Sequence, residues 1–231
     1  MPARPLVTLL PWTAAAGAAA AAWLWARWGY RVRSHRRDVP FVRVPEEAPD
    51  EPGRAPVQHV RDGRGPYFHR RYRVVADAPR LAPEALMQAV RADIQAFVPA
   101  ELAVFEKTRG APGGLAAGDE FVVRINSPWD GPVRVLEAGP AAFAFATLEG
   151  HMEAGQIRFA ATTEEGSGAL VFTIESYARS RDALVDLVYD KLPLAQAAQQ
   201  AMWTFFCMRA AEASGGTVRG EVEVLTERAA A

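Results

Sequence analysis

Between residues 72 and 213, apolar and polar positions follow two rhythms, a step of two and a step of three to four, and their order predicts the fold. Tyr72 to Ala76 reads as a short strand ended by Asp77 and Pro79, after which Pro83 and Glu84 open a helix. Leu86, Val90, Ile94 and Phe97 recur at steps of four, four and three, laying one apolar stripe along a helix that Pro99 stops. Residues 109–118, rich in Gly and Pro, are loop. Extended runs follow. Phe121, Val123 and Ile125 share a face, Val133 and Val135 share one around Arg134, and the turn chemistry of residues 126–132 predicts a hairpin. Phe143 with Phe145, Ile157 with Phe159, and Leu170 with Phe172 and Ile174 continue the alternation, so successive antiparallel strands are expected.

From Ala183 to about Ala213 the pattern turns helical, interrupted near Pro193 and terminated by Ser214-Gly215-Gly216. Leu194, Ala198, Ala201, Phe205 and Met208 are spaced for one face, widened by Trp203 and Phe206. A helix this long and apolar needs a large surface to pack on, and the concave face of the sheet supplies one. The order strand, helix, meander, long helix is α+β. A polar tail, residues 217–231, follows, with room for a stray strand at Val222 to Leu225.

The N-terminal region has a different logic. Leu6 to Ala26 is a run of 21 residues without a charge; at about 1.5 Å per residue such a helix spans roughly the 30 Å of a bilayer core. Residues 1–30 are therefore expected to form a single transmembrane anchor, with Trp25, Trp28 and Tyr30 as an interfacial belt. Arg27, Arg31, Arg33, Arg36 and Arg37 follow the run while only Arg4 precedes it, which places the C-terminal domain in the cytoplasm. A cleaved signal peptide is the rival, since the alanine run offers cleavage sites, but its charge would lie on the wrong side. Residues 31–66, with six prolines and no apolar period, read as a disordered linker. Residues 67–216 are left as the folded domain.

Composition narrows the function classes. The chain has 231 residues, a net charge of −1 and mixed signs across residues 70–215, so the basic stripe of a nucleic-acid binder is lacking. A single cysteine, Cys207, sits in an apolar run, which rules out an internal disulfide and reads as a small buried hydrophobe. No His/Cys cluster has metal-ligand spacing, no Gly-rich phosphate loop is present, and no cofactor is expected.

The most distinctive stretch runs from Ala146 to Phe159. Thr147, Leu148, Gly150, His151, Glu153, Gly155 and Phe159, then Val171 to Ile174 and the terminal helix, resemble the bacterial family called domain of unknown function nineteen-ninety. That family is a START-like, SRPBCC or helix-grip relative. Met152 stands where the family has proline, Gln156 where glutamate is common, and Arg179-Ser180-Arg181 keeps its Ser-Arg without the proline. What the resemblance implies is a curved antiparallel sheet wrapped on the C-terminal helix, with a pocket between them for an apolar small molecule or lipid. Phe143, Phe145, His151, Glu153, Phe159, Phe172 and Arg179 are the candidate ligand-binding residues. The alternatives are a cyclase- or hydrolase-type enzyme using His151 and Glu153, and a structural or interaction domain without a ligand. His and Glu at such a position more often tie down loop backbone than share a proton.

Overall fold

The computed structural model describes residues 32–125, 130–182 and 193–230. The expected anchor and residues 183–192 of the expected terminal helix lie outside the described residues; within them, no helix is long and apolar enough to cross a membrane.

A ten-stranded sheet dominates. Its strands are β1 (Val32–Asp38), β2 (Arg64–Asp77), β3 (Ala103–Arg109), β4 (Glu120–Ile125), β5 (Gly131–Ala138), β6 (Ala142–Thr147), β7 (Glu153–Thr163), β8 (Leu170–Ser180), β9 (Thr217–Val218) and β10 (Val222–Ala229). They lie in the order β1-β10-β2-β8-β7-β6-β5-β4-β3, with β9 also on β2. From β3 to β8 each strand pairs antiparallel with the next, the meander that the alternation predicts. The sheet is large and curved, and the long helix α2 (Pro193–Ala213) packs on it, chiefly against β2 and β8.

The first helix is shorter than its stripe. Here α1 covers Pro83–Ala92, and Asp93 breaks it by accepting a hydrogen bond from the Ala96 amide at 3.2 Å, which starts a 3-10 turn over Ile94–Phe97. Leu86, Val90, Ile94 and Phe97 are nonetheless all buried, as expected. On α2 the buried stripe is Trp203, Phe206, Cys207, Ala210 and Ala211, while Phe205 and Met208 are only partly buried. A helix apolar on every side carries no contrast from which to choose its inner face.

Two boundaries differ from the sequence reading. Residues 217–231 are not a polar tail: β10 pairs antiparallel with β2, burying Val222 and Val224. Residues 31–66 do not run as a disordered linker from Val32 onward. β1 lies parallel to β10, and residues 44–63 form a strap across one end of the sheet. Carboxylates and isolated backbone bonds hold the strap, so hydrophobic period cannot reveal it. Asp50 accepts from the Val57 amide at 2.8 Å, Glu47 from the Val60 amide at 2.7 Å, and Val57 bridges Leu148. Beneath it the nearly inaccessible Arg134 donates to Glu120 at 2.8 Å and to the Ala55 carbonyl at 2.8 Å. Strand β3 was not anticipated at all.

Candidate functional site

The concave face changes character from one end to the other. Across β2, β8 and β7, the register aligns Val74, Phe172 and Ala161 in one row and Tyr72, Ile174 and Phe159 in the next, all buried. Two residues further along, Arg70, Ser176 and Ile157 form a row in which only Arg70 is buried, and then come Phe68, Ala178 and Gly155. The face is closed at one end, and toward the other Ser176, Ile157 and Phe68 keep partial exposure beside the buried Arg70, Ala178 and Gly155.

Aromatic rings fill the solid end. Phe143 stacks on Phe159 with centroids 4.6 Å apart, and Phe206 of α2 stacks on Phe172 at 5.7 Å. Phe159 contacts Phe206 at 5.1 Å, and Phe145 meets both Phe143 and Phe159 edge-on. Phe143, Phe159 and Phe172 are completely buried and Phe145 nearly so. These four candidates occupy the core: Phe143, Phe145 and Phe159 touch one another, and Phe172 joins them through Phe206.

The open end is polar. Glu153, at the start of β7, accepts from Arg70 of β2 at 3.2 Å through one oxygen and from Gln199 of α2 at 3.1 Å through the other. Arg70 also lies over the Phe68 ring, 4.5 Å from its centroid. Trp203, one helical turn beyond Gln199, closes the boundary with the aromatic core by meeting Phe159 edge-on at 5.5 Å. Partly buried apolar groups, Phe68 and Ile157, thus flank a charged cluster that joins the sheet to the helix. The sequence reading singled out Glu153 but missed Arg70 and Gln199. Arg70 carried a signal, since its step-two position with Tyr72 and Val74 places a charge on a face otherwise read as apolar.

The remaining candidates do not converge there. His151 lies in the turn before β7, and its Nδ1 lies 2.9 Å from both the amide nitrogen and the carbonyl oxygen of Glu153. Burial pushes its pKa below the ordinary value, against the pull of the Glu153 carboxylate. The imidazole meets Glu153's backbone, while the Glu153 carboxylate reaches Arg70 and Gln199. Arg179, paired in register with Ala154, donates to the Gly65 carbonyl at 2.9 Å and to the Tyr67 hydroxyl at 3.2 Å, and stacks over the Tyr67 ring. Alternation along β8 and β2 puts Arg179 and Tyr67 on the face opposite Ser180 and Phe68.

The motif residues have structural work to do. Thr147 Oγ1 accepts from the Gly155 amide at 2.9 Å and lies 3.1 Å from the carbonyl of Gln58 in the strap. Gln58 in turn donates to the carbonyls of His151 and Glu153 at 2.9 and 2.8 Å. Gly150 turns the chain at φ +97°. Gly155 sits inside β7 at φ +153°, where a Cβ would overlap the Tyr177 carbonyl of β8.

A protein-family model described as domain of unknown function (DUF1990) matches residues 55–208. The chain belongs to that family. The match begins inside the strap, so Ala55 to Gly63 is part of the DUF1990 domain and not a lead-in to it. Among curated proteins none matches. Solved structures similar to the chain include a norcoclaurine synthase from Thalictrum flavum, 10% identical over 65% of this chain and 98% of that one, with a TM-score of 0.46. A START superfamily protein from Mycobacterium smegmatis is 11% identical over 63% and 99%, with a TM-score of 0.44. A hypothetical protein from Helicobacter pylori is 10% identical over 61% and 86%, with a TM-score of 0.45.

Proposed function

We propose that this DUF1990 domain is a non-catalytic binding module. It takes an apolar small molecule or lipid at the open end between sheet and α2, and residues 1–30 tether it to the cytoplasmic side of a membrane. The observation that supports the reading is the gradient along the concave face, from a closed aromatic core to a partly exposed rim of Phe68 and Ile157 around Arg70, Glu153 and Gln199. An amphipathic ligand would lay its apolar body on the rim and exchange its polar end with the charged cluster.

The filled aromatic core supports a second reading, a structural or interaction domain without a ligand. Mass spectrometry of organic extracts from the purified full chain separates the two. A defined lipid or small molecule, recovered in proportion to protein, supports the binding module, whereas extracts that match those of an unrelated membrane protein leave the structural domain.

A further inference from the structure

Strand β1 lies N-terminal and β10 C-terminal to residues 55–208, the extent of the family match. Together they add a two-stranded ribbon to the β2 edge of the sheet. Every residue of β1 after Val32 is exposed, and no strand among the described residues pairs with its outer edge. The ribbon is nonetheless fixed. β1 pairs with β10 along its whole length, the Val39 amide donates to the Arg228 carbonyl at 2.8 Å, and Gln200 of α2 donates to Ser34 at 3.0 Å.

Charge on this edge is one-sided. Between Val32 and Val44 stand Arg33, Arg36, Arg37 and Arg43, against Asp38 alone. Arg33 donates to Glu221 at 3.1 Å and Arg37 to Glu227 at 2.9 Å, but the partners are not equally open to water. The arginine side chains are 62% and 63% exposed, the carboxylates 30% and 16%. Each guanidinium thus lies outside its partner, and the edge presents cations. Just past the ribbon is Phe41, 72% exposed and the most open large hydrophobic among the described residues. A single exposed ring is ordinary by itself; set among arginines it makes the aromatic and basic combination that a lipid headgroup layer takes up.

Chain length places that layer within reach. The uncharged run of the expected anchor ends at Ala26, six residue steps before Val32, which span about 20 Å at full extension. No long linker separates the ribbon from the end of that run. We propose that the outer edge of β1, from Arg33 to Arg43, lies along the anionic lipid surface of the membrane, with Phe41 in the headgroup layer. This docking depends on the tether by residues 1–30. It also brings the bilayer alongside the proposed binding row, because Arg36 aligns through Thr226 with Arg70, Ser176 and Ile157.

The test is depth measurement on the full chain. Cys207 is completely buried, so a nitroxide attaches selectively through Phe41→Cys. The labelled chain is reconstituted in vesicles of phosphatidylcholine, with or without phosphatidylglycerol. Electron paramagnetic resonance then compares relaxation by oxygen, which concentrates in lipid, with relaxation by a water-soluble nickel chelate. Glu165→Cys is the control, in the exposed turn before β8 and at the opposite end of that strand from Ala178, which shares a row with Asp38. With phosphatidylglycerol present, the Phe41 position is expected to favour oxygen and the Glu165 position nickel. Arg36→Gln combined with Arg43→Gln removes two charges from the edge and is expected to abolish the oxygen preference. Should that variant not fold, the comparison of the two lipid compositions decides. Equal depth in both compositions, or a preference that survives the double substitution, would overturn the assignment to anionic lipid. A Phe41 label in water, on vesicles from which alkaline carbonate cannot strip the chain, would overturn the docking and leave the tether standing. A chain that carbonate does strip would end both.

Discussion

Arg70 and Glu153 meet at 3.2 Å from strands that are not neighbours, since β2 and β7 each pair with β8 between them. The contact therefore spans β8 on the concave side, and Gln199 ties the same carboxylate to α2. Glu153→Ala leaves the largely buried Arg70 without this carboxylate and is expected to destabilise the fold by about 2–4 kcal/mol. Chemical denaturation would read the change. His151→Ala removes only the ring's hydrogen bond to the Glu153 backbone and is expected to cost about 1 kcal/mol, leaving ligand retention as it was. If His151→Ala abolished retention while Glu153→Ala did not, the assignment of roles in this turn would be reversed.

Gly155 should be the least replaceable residue of the 147–159 stretch. Its positive φ disfavours any side chain, and the obstruction a Cβ would meet is a neighbouring strand's backbone, which cannot rotate away. Gly155→Ala is expected to cost about 3 kcal/mol or more. Gly166→Ala, also at positive φ but with open space around it, should cost only about 1 kcal/mol, and the two melting temperatures measured side by side check the difference.

On the outer face, His69 bridges Glu175 and Glu227 at 2.7 Å each and stacks on Tyr177 at 4.6 Å. Burial opposes charge on the ring, but the two carboxylates outweigh it and raise its pKa above 6.5. Glu175 and Glu227 are lowered from 4.5, first by their hydrogen bonds to His69. The histidine's contribution is full below pH 6.5 and fades as pH rises through its raised value. The contributions of the glutamates are full above pH 4.5 and fade as pH falls through their lowered values. The cluster should thus stabilise most between these limits. His69→Gln keeps hydrogen-bonding capacity but cannot titrate, so its melting temperature should fall less on the alkaline side than that of the native chain. Parallel curves for the two proteins would contradict this.

How much of this was legible depended on the force involved. Where one face of an element is apolar and the other is not, as in Ile157 with Phe159 or Leu86 with Val90, the alternation gave the element and its face. Where polar contacts do the holding, it was silent. The strap depends on Glu47, Asp50, Gln58 and the buried Arg134, and none of these stands out by period. Thr147, Gly150 and Gly155 were conspicuous as a motif, yet their reason, a turn and a close approach between strands, needs the register of β7 against β8 and the path of the strap. Gln199 could not be assigned because α2 lacks a polar face from which to orient it.

Cys207 is completely buried, and burial pushes its thiol well above the ordinary range. Iodoacetamide is expected to leave the native chain unlabelled and to modify it stoichiometrically once it is unfolded in guanidinium. Rapid labelling under native conditions would mean that α2 detaches readily from the sheet.

The open end of the concave face is tested most directly by filling it. Ile157→Trp adds bulk to the partly buried row beside Ser176 and Arg70 without entering the aromatic core. Native mass spectrometry of the full chain and of this variant, released from the same detergent at matched folded fraction, counts molecules carried through purification. A ligand on the native chain that is absent from Ile157→Trp is the expected result. Identical spectra, whether both are loaded or both are bare, would contradict a binding site at this end.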